Sequence, residues 1–261
     1  MHTTSPKGTG AVGGSIAVAA LEADRAALIE IGGGLGPADW EAGSGCAGWS
    51  VQDVVAHMGA LFWSVVDPSV LAGSMGQPTE QAQDALVRAR RSMTAPEVLD
   101  DYTEVSGQAI AVLAGLAVAE FELALGDLGT YPAPVIASAF AFDHYVHIRC
   151  DLFPPRGPLS GAAPPSDELR LGPTLDWVEA ALPQQNVGVL ASLTGPVELV
   201  VDGTAGRTIR LGPAGPMAAS VRSEPGAFVR WITQRQTWEQ SGVVASGEPQ
   251  VLEAVRRLKV F

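Results

Sequence analysis

Five side chains able to bind a metal or move a proton fall within "FDHYVHIRCDL", positions 142–152: Asp143, His144, His147, Cys150 and Asp151. The chain has only four histidines, and two of them are here. Asp143 and His147 are four residues apart. On a helix that spacing places two side chains on one face, about 5–6 Å apart at Cβ, so that both can hold one ion. His144, three residues before His147, falls roughly on the same side. A pair is not a complete centre, because a catalytic zinc takes about three protein ligands and keeps one position open.

The third candidate is His57, inside "VVAHMGALF", where an imidazole among apolar neighbours is costly unless its nitrogens find partners. Antiparallel helices of one bundle can bring His57 opposite His147, and bundle cores are where facing helices build metal sites. Asp53, four residues before His57, is placed to hydrogen-bond that imidazole from behind. The same residues also suit a plainer arrangement, with Asp143 and His147 as a polar pair on a helix and His57 as a satisfied interior histidine. Cys46 lies in "GSGCAG", which reads as a loop, and Cys150 is either a soft fourth ligand or a small buried hydrophobe. Arg222, Arg230 and Arg235 are the candidates for a carboxylate partner, since a guanidinium donates two parallel hydrogen bonds. No GxGxxG follows a strand and no phosphate-binding GxxxxGK[ST] is present.

These residues need elements to position them. "SIAVAALEADRAALIEIGGGL" carries apolar residues at helical spacing and ends in a glycine run. In "GWSVQDVVAHMGALFWSVV", Ser50 at the N-cap and Asp53 three residues on predict a helix from about Val51. Further helices are expected over "TEQAQDALVRARR", over "APEVLDDYTEVSGQAIAVLAGLA", and after "GTYPAPV". No strand is expected before about residue 195, so the first part reads as an up-and-down helical bundle. The Pro-, Gly- and Ser-rich "FPPRGPLSGAAPPSDE" at 153–168 marks a boundary. Beyond it come a helical stretch that Pro183 should interrupt and β-patterned "VELVVDG", "RTIRLGP" and "AASVRSE". The helix "PGAFVRWITQR", a short strand "GVVASG" and a closing helix "EPQVLEAVRRLKVF" follow. The expectation is therefore an α+β protein of two domains: a tail at 1–14, a four-helix bundle at 15–152, a linker at 153–168 and a small α+β domain at 169–261.

Composition narrows the function. Hydrophobic residues make up 47% of the chain and charged residues 17%, ample for a core. A net charge of −12, with Lys7 and Lys259 the only lysines, argues against a nucleic-acid partner. The first sixteen residues are polar and Gly-rich and read as a flexible tail without the apolar stretch of a signal peptide. The most apolar run, from Ala109, is broken by Glu120 and Glu122, so no membrane span is expected. Two cysteines without CxxC spacing suit a reducing, cytoplasmic setting.

The motif residues also resemble a known family. "GWSVQDVVAHMGALFW" is similar to the N-terminal signature of the mycothiol-dependent maleylpyruvate isomerase family, in which a Trp-Ser start leads into a helix bearing a metal-binding histidine. "FDHYVHIRCD" resembles that family's second signature, a Glu, three residues, a His and then Arg-x-Asp. "FVRWITQR" and the closing "GVVASGEPQVLEAVRRLKVF" resemble its small second domain. The resemblance implies a DinB-like four-helix bundle with a divalent metal, most often zinc, and an α+β domain related to sterol-carrier folds. It places His57 as the first ligand, His147 as the last, and Asp143 where the family usually has Glu. The shorter carboxylate would hold the ion more weakly, through a water, or with His144 as substitute ligand or proton shuttle. Arg235 lies nearest the family's substrate-binding arginine.

The implied chemistry is activation of a low-molecular-weight thiol, mycothiol, for addition to an electrophilic small molecule, as isomerase or S-transferase. A metal-dependent enzyme that needs no thiol, and a non-catalytic binding or regulatory protein on the same scaffold, remain open at this stage. So does the choice between monomer and homodimer.

Overall fold

The computed structural model describes residues 9–74 and 76–261. Ten α-helices and six strands appear among them, in an α+β arrangement. Helix α1 (Thr9–Gly34), α3 (Val51–Val66), α5 (Ala95–Leu116) and α6 (Ala133–Val146) form the bundle, with α1 against α5 and α6, and α3 against α5. Short α2 (Pro37–Glu41) and α4 (Thr79–Arg88) pack on α3 or its flank. Helix α1 runs from Thr9, within the stretch 1–14 expected as a tail, a difference at 9–14; residues 1–8 lie outside the described residues. Gly14 explains part of the difference. A Cβ there would stand 2.5 Å from the Cβ of Ala117, so the missing side chain lets α1 close onto the end of α5.

The start of α3 follows its sequence signals. Ser50 Oγ accepts from the Asp53 N–H at 3.1 Å, and Asp53 Oδ2 accepts from the Ser50 N–H at 3.1 Å. Apolar residues on nearly every side of α3, from Val51 to Phe62, match its burial on most faces. Helix α6 continues without a break into a π-helical segment, His147–Leu152, whose wider turn is seen in the Phe153 N–H bonding the Ile148 carbonyl five residues back. Pro154 and Pro155 then end the helix, because the residue before a proline is pushed out of the helical region.

Two strands precede residue 195 after all. β1 (Glu122–Ala124) and β2 (Thr130–Pro132) pair antiparallel, with Leu123 opposite Tyr131. Three residues are too few to show an alternation in sequence. The hairpin is fixed instead by Gly129, at φ 120°, and by buried Tyr131, which rests against Trp177 with ring centres 4.5 Å apart.

Helix α7 (Glu168–Gln185) runs through Pro183 rather than breaking there. That proline lies in the last turn, where only the bond to the Glu179 carbonyl is lost, and the helix ends two residues later. α7 packs on α1 and α6 of the bundle and also on α9 (Pro225–Ile232). After the single turn α8 (Val187–Ala191) comes a four-stranded sheet in the order β4 (Arg207–Leu211), β3 (Val197–Val201), β5 (Ala219–Ser223), β6 (Val244–Gly247). The β3–β5 pair is parallel and its neighbours antiparallel. Val197, Leu199 and Val201 alternate inward along β3, and α10 (Pro249–Val255) closes the chain. Apolar side chains of sheet and bundle merge into one core. No helix among the described residues is long and apolar enough to cross a membrane.

A buried ion cluster ties three segments to this core. Asp24 of α1, 2% exposed, accepts from Arg149 at 3.0 and 2.7 Å and from Arg170 of α7 at 2.7 Å. Arg149 also donates to the Pro165 carbonyl, so the Pro-rich stretch is laid over the π-helical segment.

Candidate metal centre

Three elements deliver the donors. α3 presents His57, the last turn of α6 presents Asp143, and the first residue of the π-helical segment presents His147. Asp143 Oδ1 lies 3.3 Å from His57 Nε2 and 3.4 Å from His147 Nε2. The donor atoms of all three lie within 4.8 Å of one another. The two imidazoles meet edge to face, ring centres 4.9 Å apart, and Trp49 covers the other side of His57 at 5.1 Å. His57 and His147 are buried, while the Asp143 side chain keeps 20% of its surface.

The donor set fits a divalent ion. Ligand distances of about 2.0–2.2 Å in a tetrahedron imply donor separations of about 3.3–3.6 Å, and Asp143 Oδ1 stands 3.3 and 3.4 Å from the two imidazole nitrogens. Asp143 Oδ2 and His57 Nδ1 are buried and have no hydrogen-bond partner among the described residues. A buried carboxylate oxygen without a partner is costly unless a cation compensates it.

Electrostatics without an ion are those of a tight ion pair. Burial opposes the imidazolium of His147, but Asp143, with hydrogen bonds to Asp143, Asp151 and Cys46, outweighs it and holds the pKa well above the ordinary value. Burial likewise opposes ionisation of Asp143, yet facing His147 and His57 hold it well below the carboxylate range. For His147 to hold a metal here, the proton that this pair shares would have to leave.

The other expected residues are placed differently. His144 is fully buried on the core side of α6, its Nδ1 donating to the Phe140 carbonyl at 3.0 Å and its ring against Phe62 and Tyr102. Burial lowers its pKa, and it belongs to neither cluster of potential ligands. The structure thus places His144 apart from the three donors, because one residue along a helix turns the side chain by about 100° from Asp143; its Nε2 is buried without a hydrogen-bond partner among the described residues. Asp53 does not reach His57. Its carboxylate caps Ser50 and accepts from Arg91 at 3.1 and 3.2 Å, a use that competes with the one expected.

Asp151 takes the place expected of Asp53, on the other histidine. Its Oδ2 accepts from His147 Nδ1 at 3.0 Å, the carboxylate–histidine arrangement common behind metal ligands. Asp151 is fully buried, and its pKa is pushed down: burial works the other way but is outweighed by His147 and Arg235. Arg235, expected to anchor a substrate carboxylate, instead grips Asp151 through Nη2–Oδ2 at 2.8 Å and Nε–Oδ1 at 3.3 Å. Arg222 pairs with Asp202 at the sheet surface, and Arg230 Nε donates to Gln236 Oε1 at 2.7 Å.

Cys46 also reaches the centre, its Sγ 3.7 Å from His147 Nδ1. Cys46, His147 and Asp151 form a second close group of donors, but the guanidinium on Asp151 opposes a cation there, and the group reads as support for His147. Cys46 and Trp49 line an open cleft of about 400 Å³ with Glu41, Ser44, Asp53 and Arg91. Cys150 is buried, its thiol pushed up to about 11 by desolvation, which fits the small-hydrophobe reading. Asp151 carries a signal in the sequence, being four residues after His147 as His147 is after Asp143. Trp49 is visible only as the Trp-Ser start of the resemblance, and Cys46 carries no signal for the centre, because its approach depends on loop closure.

Residues 21–152, from α1 to the end of the π-helical segment, match the mycothiol maleylpyruvate isomerase N-terminal domain. The chain belongs to that family. Two solved structures share the fold of this member: a mycothiol-dependent maleylpyruvate isomerase and a His-to-Ala variant of it, at 14% and 15% identity. Each gives a TM-score of 0.58 over 89% of this chain and 92% of the other. No curated protein sequence matches this family member.

Proposed function

We propose that this protein is a divalent-metal enzyme that uses mycothiol or a similar low-molecular-weight thiol to attack an electrophilic small molecule, as isomerase or S-transferase. The reading is carried by the convergence of His57 Nε2, His147 Nε2 and Asp143 Oδ1 from separate elements onto one point. Two imidazoles and one carboxylate are a donor set for catalytic zinc and leave a coordination position over. A zinc ion held there supplies a Lewis acid that favours a thiolate over a thiol.

The protein's own groups define what surrounds that chemistry. Trp49 and His147 wall off two sides of His57, and Cys46 and Trp49 join the centre to the neighbouring cleft. The cleft lining mixes an indole, two serine hydroxyls, two carboxylates and the Arg91 guanidinium, which suits a polyhydroxylated thiol better than an apolar one. Reversible thiol addition to a cis double bond followed by bond rotation gives isomerisation, and retention of the adduct gives transfer.

The test is turnover of maleylpyruvate and of an activated aryl halide by zinc-loaded protein, with mycothiol, with glutathione and with no thiol. Turnover that needs both zinc and mycothiol, and is lost in His57→Ala, is expected. Turnover of either substrate without thiol would replace this reading by metal-activated water.

A further inference from the structure

We infer that Arg235 and Asp151 are positioning residues for the metal centre, so that a residue outside the matched 21–152 region sets the ligand His147. The inference rests on the metal-centre reading above. Its basis is a continuous chain of contacts: the Arg235 guanidinium to both oxygens of Asp151 at 2.8 and 3.3 Å, Asp151 Oδ2 to His147 Nδ1 at 3.0 Å, and His147 Nε2 facing Asp143 Oδ1 at 3.4 Å. An ionised carboxylate only accepts, so Nδ1 keeps a proton toward Asp151, and Nε2 is the nitrogen that faces the donor cluster and would take a metal once its own proton is displaced.

The turn after α9 is built to aim Arg235. Gln234 holds a left-handed backbone at φ 59°, rare for a residue with a side chain, and its Nε2 donates to the Trp231 and Leu258 carbonyls at 3.1 Å. The Arg235 and Gln236 N–H groups both return to the Arg230 carbonyl, at 2.8 and 3.1 Å. Arg235 Nη1 donates to the Thr233 carbonyl at 3.1 Å, fixing the third side of the guanidinium. The Gly45 N–H bonds the Asp151 main-chain carbonyl at 2.8 Å, which fixes the backbone that carries the carboxylate. A substrate-anchoring arginine would present its paired N–H edge to the cleft. This one presents that edge to a fully buried aspartate.

The test is the zinc dissociation constant, by competition with a chromophoric chelator, together with the cobalt(II) absorption bands and the unfolding midpoint of each metal-free variant. Asp151→Asn is expected to weaken zinc about 10–100-fold and to shift the cobalt bands. Arg235→Gln weakens it by part of that amount and Arg235→Lys by less. The double variant Asp151→Asn/Arg235→Gln is no weaker than Asp151→Asn alone, because Arg235 acts through Asp151. Unchanged zinc affinity in the single variants, or losses that multiply in the double, would overturn the inference. So would a rise in substrate KM alone in Arg235→Gln. If Asp151→Asn does not fold, the graded order of Arg235→Lys and Arg235→Gln decides the matter. Absence of stoichiometric zinc from the wild type would remove the metal centre itself, a failure visible before any substitution is made.

Discussion

His57 Nε2 and Asp143 Oδ1 stand 3.3 Å apart although 86 residues separate them in the chain. The contact crosses from α3 to α6, and it joins two helical residues into part of a centre that His147 completes. Asp143→Glu probes it directly. One more methylene lengthens a carboxylate that already faces both imidazoles, and the zinc dissociation constant is expected to stay equal or fall. Complete loss of zinc binding in Asp143→Glu would mean that this face of α6 presents the wrong donors.

Zinc binding should release a proton and strengthen with pH. His147 is held protonated above its ordinary 6.5 by Asp143 and the groups around it, and the ion needs the neutral imidazole. Calorimetry in buffers of different ionisation enthalpy should count close to one proton at pH 7, with affinity rising about tenfold per pH unit until His147 deprotonates. In the metal-free protein the sign differs on the two sides. The Asp151 contribution, from a pKa lowered below 3.8, is full above that value and lost as pH falls through the lowered one; the His147 contribution is full below 6.5 and lost as pH rises through the raised one. Thermal midpoints of chelator-treated protein should therefore peak between 3.8 and the raised His147 pKa, and a flat profile would contradict the pairing.

Gly45→Ala should damage the centre without touching a ligand. A Cβ at Gly45 would lie 2.7 Å from Asp151 Oδ1 and 2.8 Å from its Cα, so the carboxylate behind His147 must move. The expected costs are about 1–3 kcal/mol of stability from overpacking and a measurable loss of zinc affinity in the same chelator competition.

How far the site is legible in the sequence follows from the range of each contact. Asp143 and His147 stand out because a helix makes neighbours of residues four apart, and His57 because an imidazole among Val, Ala and Met needs a reason. His144 misleads, since three residues before His147 looks like the same face while the structure buries it beside Phe62 and Tyr102. Asp53 misleads for a different reason: the capping box that starts α3 already uses its carboxylate. Arg235 is visible as an arginine, but its partner 84 residues away depends on how the turn after α9 meets the π-helical segment. The fold is legible where patterns are long, as in the bundle helices and β3 to β5, and illegible in the three-residue strands β1 and β2.

Asp24→Ala tests the support around the centre. It would leave Arg149 and Arg170 buried and without their shared carboxylate. Removing one partner from such a cluster typically costs about 3–5 kcal/mol, and urea unfolding should show a loss of that size. A change below about 1 kcal/mol, the range of exposed pairs, would mean that the cluster is solvated in solution.

The most direct measurement is metal content. Protein purified without added metal, analysed by plasma emission alongside His57→Ala and His147→Ala, should carry one divalent ion per wild-type chain and none in either variant, with all three folded by circular dichroism. Wild-type protein free of stoichiometric metal, or variants that retain it, would contradict the proposed centre.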